Sequence, residues 1–402
     1  MNTAELADTP LERSVDGRPL YALYPARRGE DPGPLPEGAG LVLSRFAVIH
    51  REGTALLLES PRAWCDVRVH DPAVLAVIGA LSTPLRFSAL PEVLPAEATE
   101  LLIADLWRAR LVVAYGAEEE TELRLRQWSP FELWLHNRSR LGESGGFNAS
   151  WGLTAWADGT FRPLPARPEP YPGTPMDLFR PDLEALRRDD PSLTTVLEDR
   201  RSIREHDHGN PLTVDQLGEF LFRCTRVRGT HLLDGIEHVD RPYPSGGALH
   251  ELEIYPVVRY VDGLEPGMYH YDGHTHQLQP VCGENDATKT LIMAAELATG
   301  AKDPQLVFVV AARFGRLLWK YEAMGYAAIL KDVGVLYHVM YSVATAMGLA
   351  ACAIGGGHAE VFTAATGRDY FTEGAVGEFM LGSVAQGAAQ ESTQENGAAA
   401  GV

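Results

Sequence analysis

The sequence predicts two α+β cores joined by an extended connector. The first is a smaller, winged-helix-like module; the second is a central sheet flanked by helices and packed on one long core helix. Three observations predict this. At 402 residues the chain exceeds one typical core. Pro163, Pro165, Pro168, Pro170, Pro172, Pro175 and Pro181 fall within 19 residues, where neither a helix interior nor a central strand can continue. Beyond them, β-branched apolar runs alternate with helical periodicity.

Residues 1–40, rich in Pro, Gly and charge, read as a loose lead-in. In the small module, residues 41–127, Ser44–His50 and Thr54–Ser60 flank Arg51-Glu52-Gly53, a hairpin signal. Pro72–Leu81 and Pro95–Arg110 have helical spacing, and Leu111–Tyr115 with Glu122–Gln127 reads as a second strand pair. Small helices beside hairpins suit a peptide-docking module. Residues 128–181 are an irregular aromatic stretch, Trp128 to Trp156, followed by the proline connector.

The larger domain spans residues 182–384. Leu183–Leu197 reads as a helix that ends at Arg200-Arg201. Thr213 and Gln216 form a capping-box signature opening a helix to about Val227. Leu252–Tyr260 and Leu306–Ala312 suit central strands, and Gly315–Met347 reads as a long helix closed by Gly348. Residues 385–402 are low-complexity and read as a disordered tail. There is no internal repeat.

Composition excludes several classes. A net charge of -19 argues against nucleic-acid binding, since phosphate backbones reward the opposite sign. The opening residues lack the basic start and apolar run of a signal peptide. Val333–Gly357, the most apolar stretch, is flanked by Lys331 and Asp332 and contains His338, so it reads as a buried helix rather than a membrane span. Cys65, Cys224, Cys282 and Cys352 are scattered, which supports neither a metal site nor a disulfide framework and suits the cytoplasm.

Four constellations can carry chemistry. Arg200, Arg201, Ser202 and Arg204 concentrate forked donors that match a phosphate; alone, such a cluster also reads as a solvated basic helix end. Pro244, Ser245, Gly246 and Gly247 let backbone approach a planar ligand just before a strand; alone, they also read as a plain turn. Gly355 and Gly356, followed by Gly357, expose amides that can bond a cofactor. No dinucleotide fingerprint or P-loop accompanies them, so a Rossmann-type nicotinamide site and an NTPase are both disfavoured. Lys320 and Tyr321 offer two proton-moving groups, and lysine occurs only four times in the chain; a surface lysine beside a core tyrosine is the bland reading.

The order of these motifs resembles the nitroreductase-like FMN oxidoreductase superfamily, and within it the SagB/ThcOx-type azoline dehydrogenases. The ordered motifs are Arg200-Arg201-Ser202-x-Arg204, Pro244 to Ala248, Lys320-Tyr321 followed by Tyr326, and Gly348 to Gly356. The resemblance covers about residues 190–384, the segment Trp128–Gly142, and the early region 40–125. It implies the nitroreductase-like fold, with a mixed or antiparallel central sheet, and a homodimer with FMN where the subunits meet. It also implies that Arg200, Arg201, Ser202 and Arg204 hold the FMN phosphate and ribityl chain. Pro244, Ser245, Gly246 and Gly247 would lie along the isoalloxazine, Gly355 and Gly356 would contact it through backbone, and Lys320 and Tyr321 would be catalytic.

Two departures stand out. Phe379-Met380-Leu381-Gly382-Ser383 lacks a basic residue that many relatives place near the phosphate, and His250 stands where an aromatic or aliphatic residue is common and is a candidate to face the substrate. The function implied is oxidation of thiazoline or oxazoline rings to azoles in a peptide natural product, in company with a cyclodehydratase complex. The competing expectations are an NAD(P)H-dependent nitroreductase or quinone reductase, and a non-catalytic peptide-binding scaffold with a degenerate flavin domain.

Overall fold

The computed structural model describes residues 10–26, 32–140, 154, 156–157 and 159–385. The expected disordered tail lies outside the described residues, apart from residue 385. The chain divides into two compact units, Met1–Gly152 and Leu153–Val402.

The first unit opens with β1 (Leu11–Val15) and β2 (Arg18–Pro25), followed by β3 (Leu41–Leu43), β4 (Val48–Glu52), β5 (Ala55–Glu59) and β6 (Cys65–Val69). Then come α1 (Pro72–Ala80), α2 (Ala96–Arg108), β7 (Val112–Ala114), α3 (Glu118–Thr121), α4 (Leu123–Arg126) and α5 (Pro130–Arg138). Five strands form an antiparallel sheet in the order β1-β2-β6-β5-β4. The hairpin predicted around Gly53 is β4–β5, with Val48 opposite Glu59 and Glu52 opposite Ala55.

Three expectations fail in this unit. Residues 11–25, read as loose, form β1 and β2, because Leu20, Tyr21, Ala22 and Leu23 are buried against the core and β2 pairs with β6. Glu122–Gln127 is not a strand: Leu123 and Leu125 alternate with charged residues, but only Leu125 is buried, and Arg124 pairs with Glu122 and Glu118 on a helical turn. The strand at Val112–Ala114 pairs instead with β3. The stretch after Trp128 is not irregular throughout, since Ser129 and Glu132 close a full capping box that opens α5.

The second unit runs β8 (Met176–Asp177), α6 (Leu183–Asp189), α7 (Leu193–Asp199), α8 (Val214–Thr225), β9 (Gly229–Leu233), β10 (Ile236–Asp240) and β11 (Leu252–Val258). It continues with β12 (Gly267–Asp272), β13 (Gln277–Gly283), α9 (Asp286–Thr299), β14 (Leu306–Arg313) and α10 (Phe314–Leu318). The last elements are α11 (Gly325–Ala346), β15 (Leu349–Ile354), α12 (Ala359–Thr366) and β16 (Glu373–Ser383). The main sheet has seven strands in the order β15-β16-β14-β11-β12-β13-β8, every neighbouring pair antiparallel.

Strand alternation divides the packing between the two faces. Leu306, Phe308, Val310 and Ala312 of β14 join the core built with α8 and α11, whereas Val307, Val309 and Ala311 join the core built with α9 and α12. On α11 the buried residues Ala328, Ile329, Asp332, Val333, Leu336, Met340 and Ala344 follow helical spacing. Asp332 is thus an acid on the core face.

Two predicted helices are broken. Leu183–Leu197 splits into α6 and α7 at Pro191, and Ser192 caps the second piece by accepting from the Thr195 amide. The predicted Gly315–Met347 helix splits into α10 and α11. Ala323 takes φ +60, a conformation a helix cannot contain, and Gly325 packs so close to Leu318 that a Cβ there would lie 2.4 Å from it. The C-terminal stop falls at Gly348 (φ +65), as its sequence position predicts.

A candidate active site at the two ends of a core helix

The basic segment after α7 runs along the outside of β15. The Ile203 amide donates to Ala351 O at 2.9 Å. Ser202 Oγ lies 2.8 Å from Tyr341 Oη, the Arg200 guanidinium stacks 5.2 Å over the Tyr341 ring, and the Tyr341 hydroxyl also accepts from the Ala353 amide at 2.8 Å. Tyr341 therefore ties the segment to the strand that leads into Gly355 and Gly356. Arg201, Ser202 and Arg204 are exposed, so this end of the site presents hydrogen-bond donors to solvent.

Gly355, Gly356 and Gly357 bend away from β15 and line a cavity of about 330 Å³ together with Tyr326, Tyr337 and Glu378. Nothing lies within 4 Å of where a Cβ would stand on Gly355 or Gly356, so their backbones face open space. At Gly357 the opposite holds: a Cβ there would fall on the Glu378 carboxyl. Burial pushes Glu378 up to about 7.

The other two constellations meet at the far end of α11. Gly247 has φ 61 and ψ 20, and a Cβ on it would stand 2.6 Å from Tyr321 Oη and 3.3 Å from Lys320 Nζ. Only glycine combines that backbone with that approach. Lys320 and Tyr321 lie in the break between α10 and α11 rather than on a helix, a correction to the sequence reading; the break lets both side chains reach Gly247. Lys320 is half-buried and, among the described residues, has no carboxylate partner; its ammonium sits 5.6 Å from the Tyr321 ring centre. Burial, then the nearby Asp332 charge, raises the Tyr321 pKa.

The loop that carries Gly247 is held from three sides. His238 Nδ1 lies 2.9 Å from Gly247 O. The buried Arg316 guanidinium donates to the carbonyls of Leu249 (2.6 Å), Glu237 (2.7 Å) and Leu164 (2.7 Å). Asp332 Oδ2 accepts from the Gly246 amide at 2.8 Å. Pro244 and Ser245 form the near side of this loop, and Ser245 Oγ accepts from the His250 amide at 2.9 Å. His250 does not face open space: its ring is buried edge-on to Tyr243 at 5.0 Å, and burial with nearby Arg241 pushes it down to about 3.

The structure thus gathers the sequence-predicted residues into two groups. The Arg200–Arg204 segment, held by Tyr341, is one; Pro244, Ser245, Gly246, Gly247, Lys320 and Tyr321 form the other, while Gly355 and Gly356 line the cavity with Tyr326, Val333 and Tyr337. Their anchors on α11, Tyr341 and Asp332, are nine residues apart, which is roughly 14 Å along a helix. Sequence reasoning missed Tyr341, Asp332 and Glu378. An acid inside an otherwise apolar helix was a readable signal for Asp332; the other two needed the fold. The segment Phe379–Ser383 is buried sheet, and Arg368 offers no substitute for the absent basic residue because Tyr171 and Glu373 engage it.

The nitroreductase family model matches residues 197–382, and the model for the cyanobactin oxidase ThcOx matches residues 41–145. A nitroreductase of Methanocaldococcus jannaschii is 31% identical over 183 residues, 46% of this chain and 85% of the relative. The chain belongs to the nitroreductase family. Its amino-terminal region, residues 41–145, is similar to ThcOx, in keeping with the SagB/ThcOx-type resemblance of the motifs. Two processing proteins are also similar. The trifolitoxin-processing protein TfxB of Rhizobium leguminosarum bv. trifolii is 30% identical over 105 residues, 25% of this chain and 28% of its own length. The microcin B17-processing protein McbC of Escherichia coli is 30% identical over 116 residues, 28% of this chain and 42% of its own. These two alignments span less than half of either processing protein. Membership of that family makes the chain an oxidoreductase in the coarse sense.

Proposed function

We propose that this chain is an FMN-dependent dehydrogenase that oxidises thiazoline or oxazoline rings of a modified peptide to azoles. The observation that carries the reading is the meeting of Lys320 and Tyr321 on Gly247 in a chain that joins a ThcOx-like region to a nitroreductase domain. The residues fit FMN. Exposed Arg201, Ser202 and Arg204 suit its phosphate, and the Cβ-free faces of Gly355 and Gly356 leave room for a planar ring system above backbone amides. When bound, FMN supplies the two-electron oxidant that accepts a hydride equivalent from the ring β-carbon.

The chain's own contribution is positional and protonic. The azoline α-proton is acidified by the adjacent carbonyl and imine, so a modest base suffices. Lys320 Nζ takes that proton or activates its removal, and Tyr321 Oη shares the transfer. The rigid Pro244–Gly247 loop fixes the reacting ring against the two groups. Exposed apolar residues on α11, Tyr326, Leu330 and Val335, support a second copy of the chain as the cover of this face, with FMN at the subunit boundary. A cytoplasmic homodimer acting beside a cyclodehydratase, with residues 41–127 docking the peptide, completes the reading.

The test starts with the visible spectrum of the purified protein and identification of the released cofactor. A yellow protein that releases FMN and converts a synthetic thiazoline peptide to the thiazole supports the proposal. Rapid bleaching of the flavin by NAD(P)H, without azoline turnover, makes the chain a nitroreductase or quinone reductase instead. A colourless protein that also refuses added FMN leaves the peptide-binding scaffold.

A further inference from the structure

Behind the Lys320–Tyr321 ledge lies a pair of acids that the proposed chemistry does not use. Glu251, just ahead of β11, is fully buried, and Asp332 on α11 is 7% exposed. Asp332 accepts from the Gly246 amide. Among the described residues, neither carboxyl oxygen of Glu251 meets a hydrogen-bond donor from another residue. A buried carboxylate with no such donor is costly, and a second carboxylate beside it raises the cost further. The arrangement is relieved when one carboxyl keeps its proton and donates it to the other.

The surroundings agree. Burial first and the Asp332 charge second push Glu251 up to about 8, with only its own amide and Arg241 pulling the other way. Burial also raises Asp332, opposed by the Gly246 amide, the neighbouring Glu251 carboxyl and nearby Lys331. The other groups facing the pair are Arg316 from α10, whose donors are taken by carbonyls, the Tyr243 hydroxyl, Tyr321 and the ring of His250. None of them donates to Glu251.

We infer that Glu251 and Asp332 share a single proton, Glu251 donating to Asp332, and that the pair is a positioning element fixing the Gly246 amide so that Gly247 meets Lys320 and Tyr321. Loss of the shared proton places two charges in a buried space where the Gly246 amide is the one donor shown to reach the pair, drives the carboxyls apart and loosens the loop. The effect on turnover rests on the dehydrogenase reading; the shared proton does not.

Infrared titration of the purified protein tests the pair directly, in a Glu373→Gln, Glu378→Gln background so that the two other glutamates raised by burial among the described residues are silent. The expected result is a protonated-carboxyl band at neutral pH that fades around pH 8 and is missing in Glu251→Gln. Absence of that band from the parent protein, or its persistence in Glu251→Gln, overturns the inference. Glu251→Gln keeps a donor for Asp332 and cannot ionise, so its azoline turnover should match the parent at neutral pH but lose the alkaline decline. Asp332→Ala should lower turnover at every pH, with Asp332→Asn restoring part of it. An unchanged alkaline limb in a folded Glu251→Gln defeats the positioning role. If the protein binds no FMN and turns over no azoline, the functional proposal fails while the infrared result still decides the pair; if Glu251→Gln does not fold, the titration of the parent protein still decides it.

Discussion

The two ends of α11 solve opposite electrostatic problems. Around Tyr341 the side chains are donors at the surface: Arg201, Ser202 and Arg204 are exposed, and the segment is tied down by one phenol and one strand carbonyl. Around Asp332 the groups are buried acids behind a lysine and a tyrosine, and the loop they support is clamped by an arginine and a histidine as well. On the proposed reading the first end binds the cofactor's anion, whereas the second is held by its own hydrogen bonds. A substitution at the first end should therefore cost affinity for FMN, and one at the second should cost rate.

The largest effect is expected at the buried end. Lys320→Ala removes the proposed base without touching the donors near Tyr341, so azoline turnover should fall by roughly 10²–10⁴-fold, with FMN affinity nearly unchanged. Single-turnover assays with FMN-saturated protein separate the two quantities. Full turnover in an FMN-replete variant would remove the assignment and erase the contrast between the ends.

At the exposed end the loss should appear in binding. Arg204→Ala forfeits a charge-assisted contact worth about 1.5–3 kcal/mol, so FMN affinity should drop by about 10–160-fold, while turnover at saturating FMN stays close to that of the parent. Fluorescence titration with FMN reads the first and steady-state assays the second. A Lys320-like loss of rate at full occupancy would show that the two ends are not separable.

How much of this was legible in the chain follows the same division. Local signals were read correctly: the Thr213–Gln216 capping box is closed in the structure, Gly348 ends α11, and the apolar runs at Leu252 and Leu306 are adjacent central strands. The dense arginine cluster and the paired glycines were visible because their residue types are unusual at that spacing. What failed was whatever tertiary contact decides. No local signal gives Ala323 a positive φ, so the helix break that delivers Lys320 to Gly247 was invisible. Tyr21 and Leu23 looked like part of a loose lead-in because the strand they pair with, β6, lies more than forty residues on. Glu251 and Asp332 are 81 positions apart in sequence, and only packing makes them a pair.

The cavity between the two ends offers a stability test. Glu378 is pushed up to about 7 by burial alone, against an ordinary value of 4.5. Its folded pKa lies above its unfolded one, so the native state holds the proton longer. Its stability should fall as pH rises from about 4.5 through about 7, then level off. Glu378→Gln removes that penalty. Thermal melts should show the variant and the parent together at pH 4.5 and the variant ahead by at least about 1 kcal/mol at pH 8. Parallel curves across that window would mean that water reaches the carboxyl and relieves it.

The smallest effect, and the sharpest probe of the comparison, is Tyr341→Phe. The ring stays, so its packing on Phe379 at 5.1 Å and its stacking with Arg200 survive. Only the hydroxyl goes, and with it the contact to Ser202 and the bond from the Ala353 amide. One net hydrogen bond is worth about 0.5–1.5 kcal/mol, which corresponds to a weakening of FMN binding by about 2–12-fold. Turnover at saturating FMN should be untouched, because Lys320 and Tyr321 hang on the other end of the helix. If rate falls with affinity, α11 transmits strain from Tyr341 to Asp332, and the two ends work as one rigid lever instead of two independent halves.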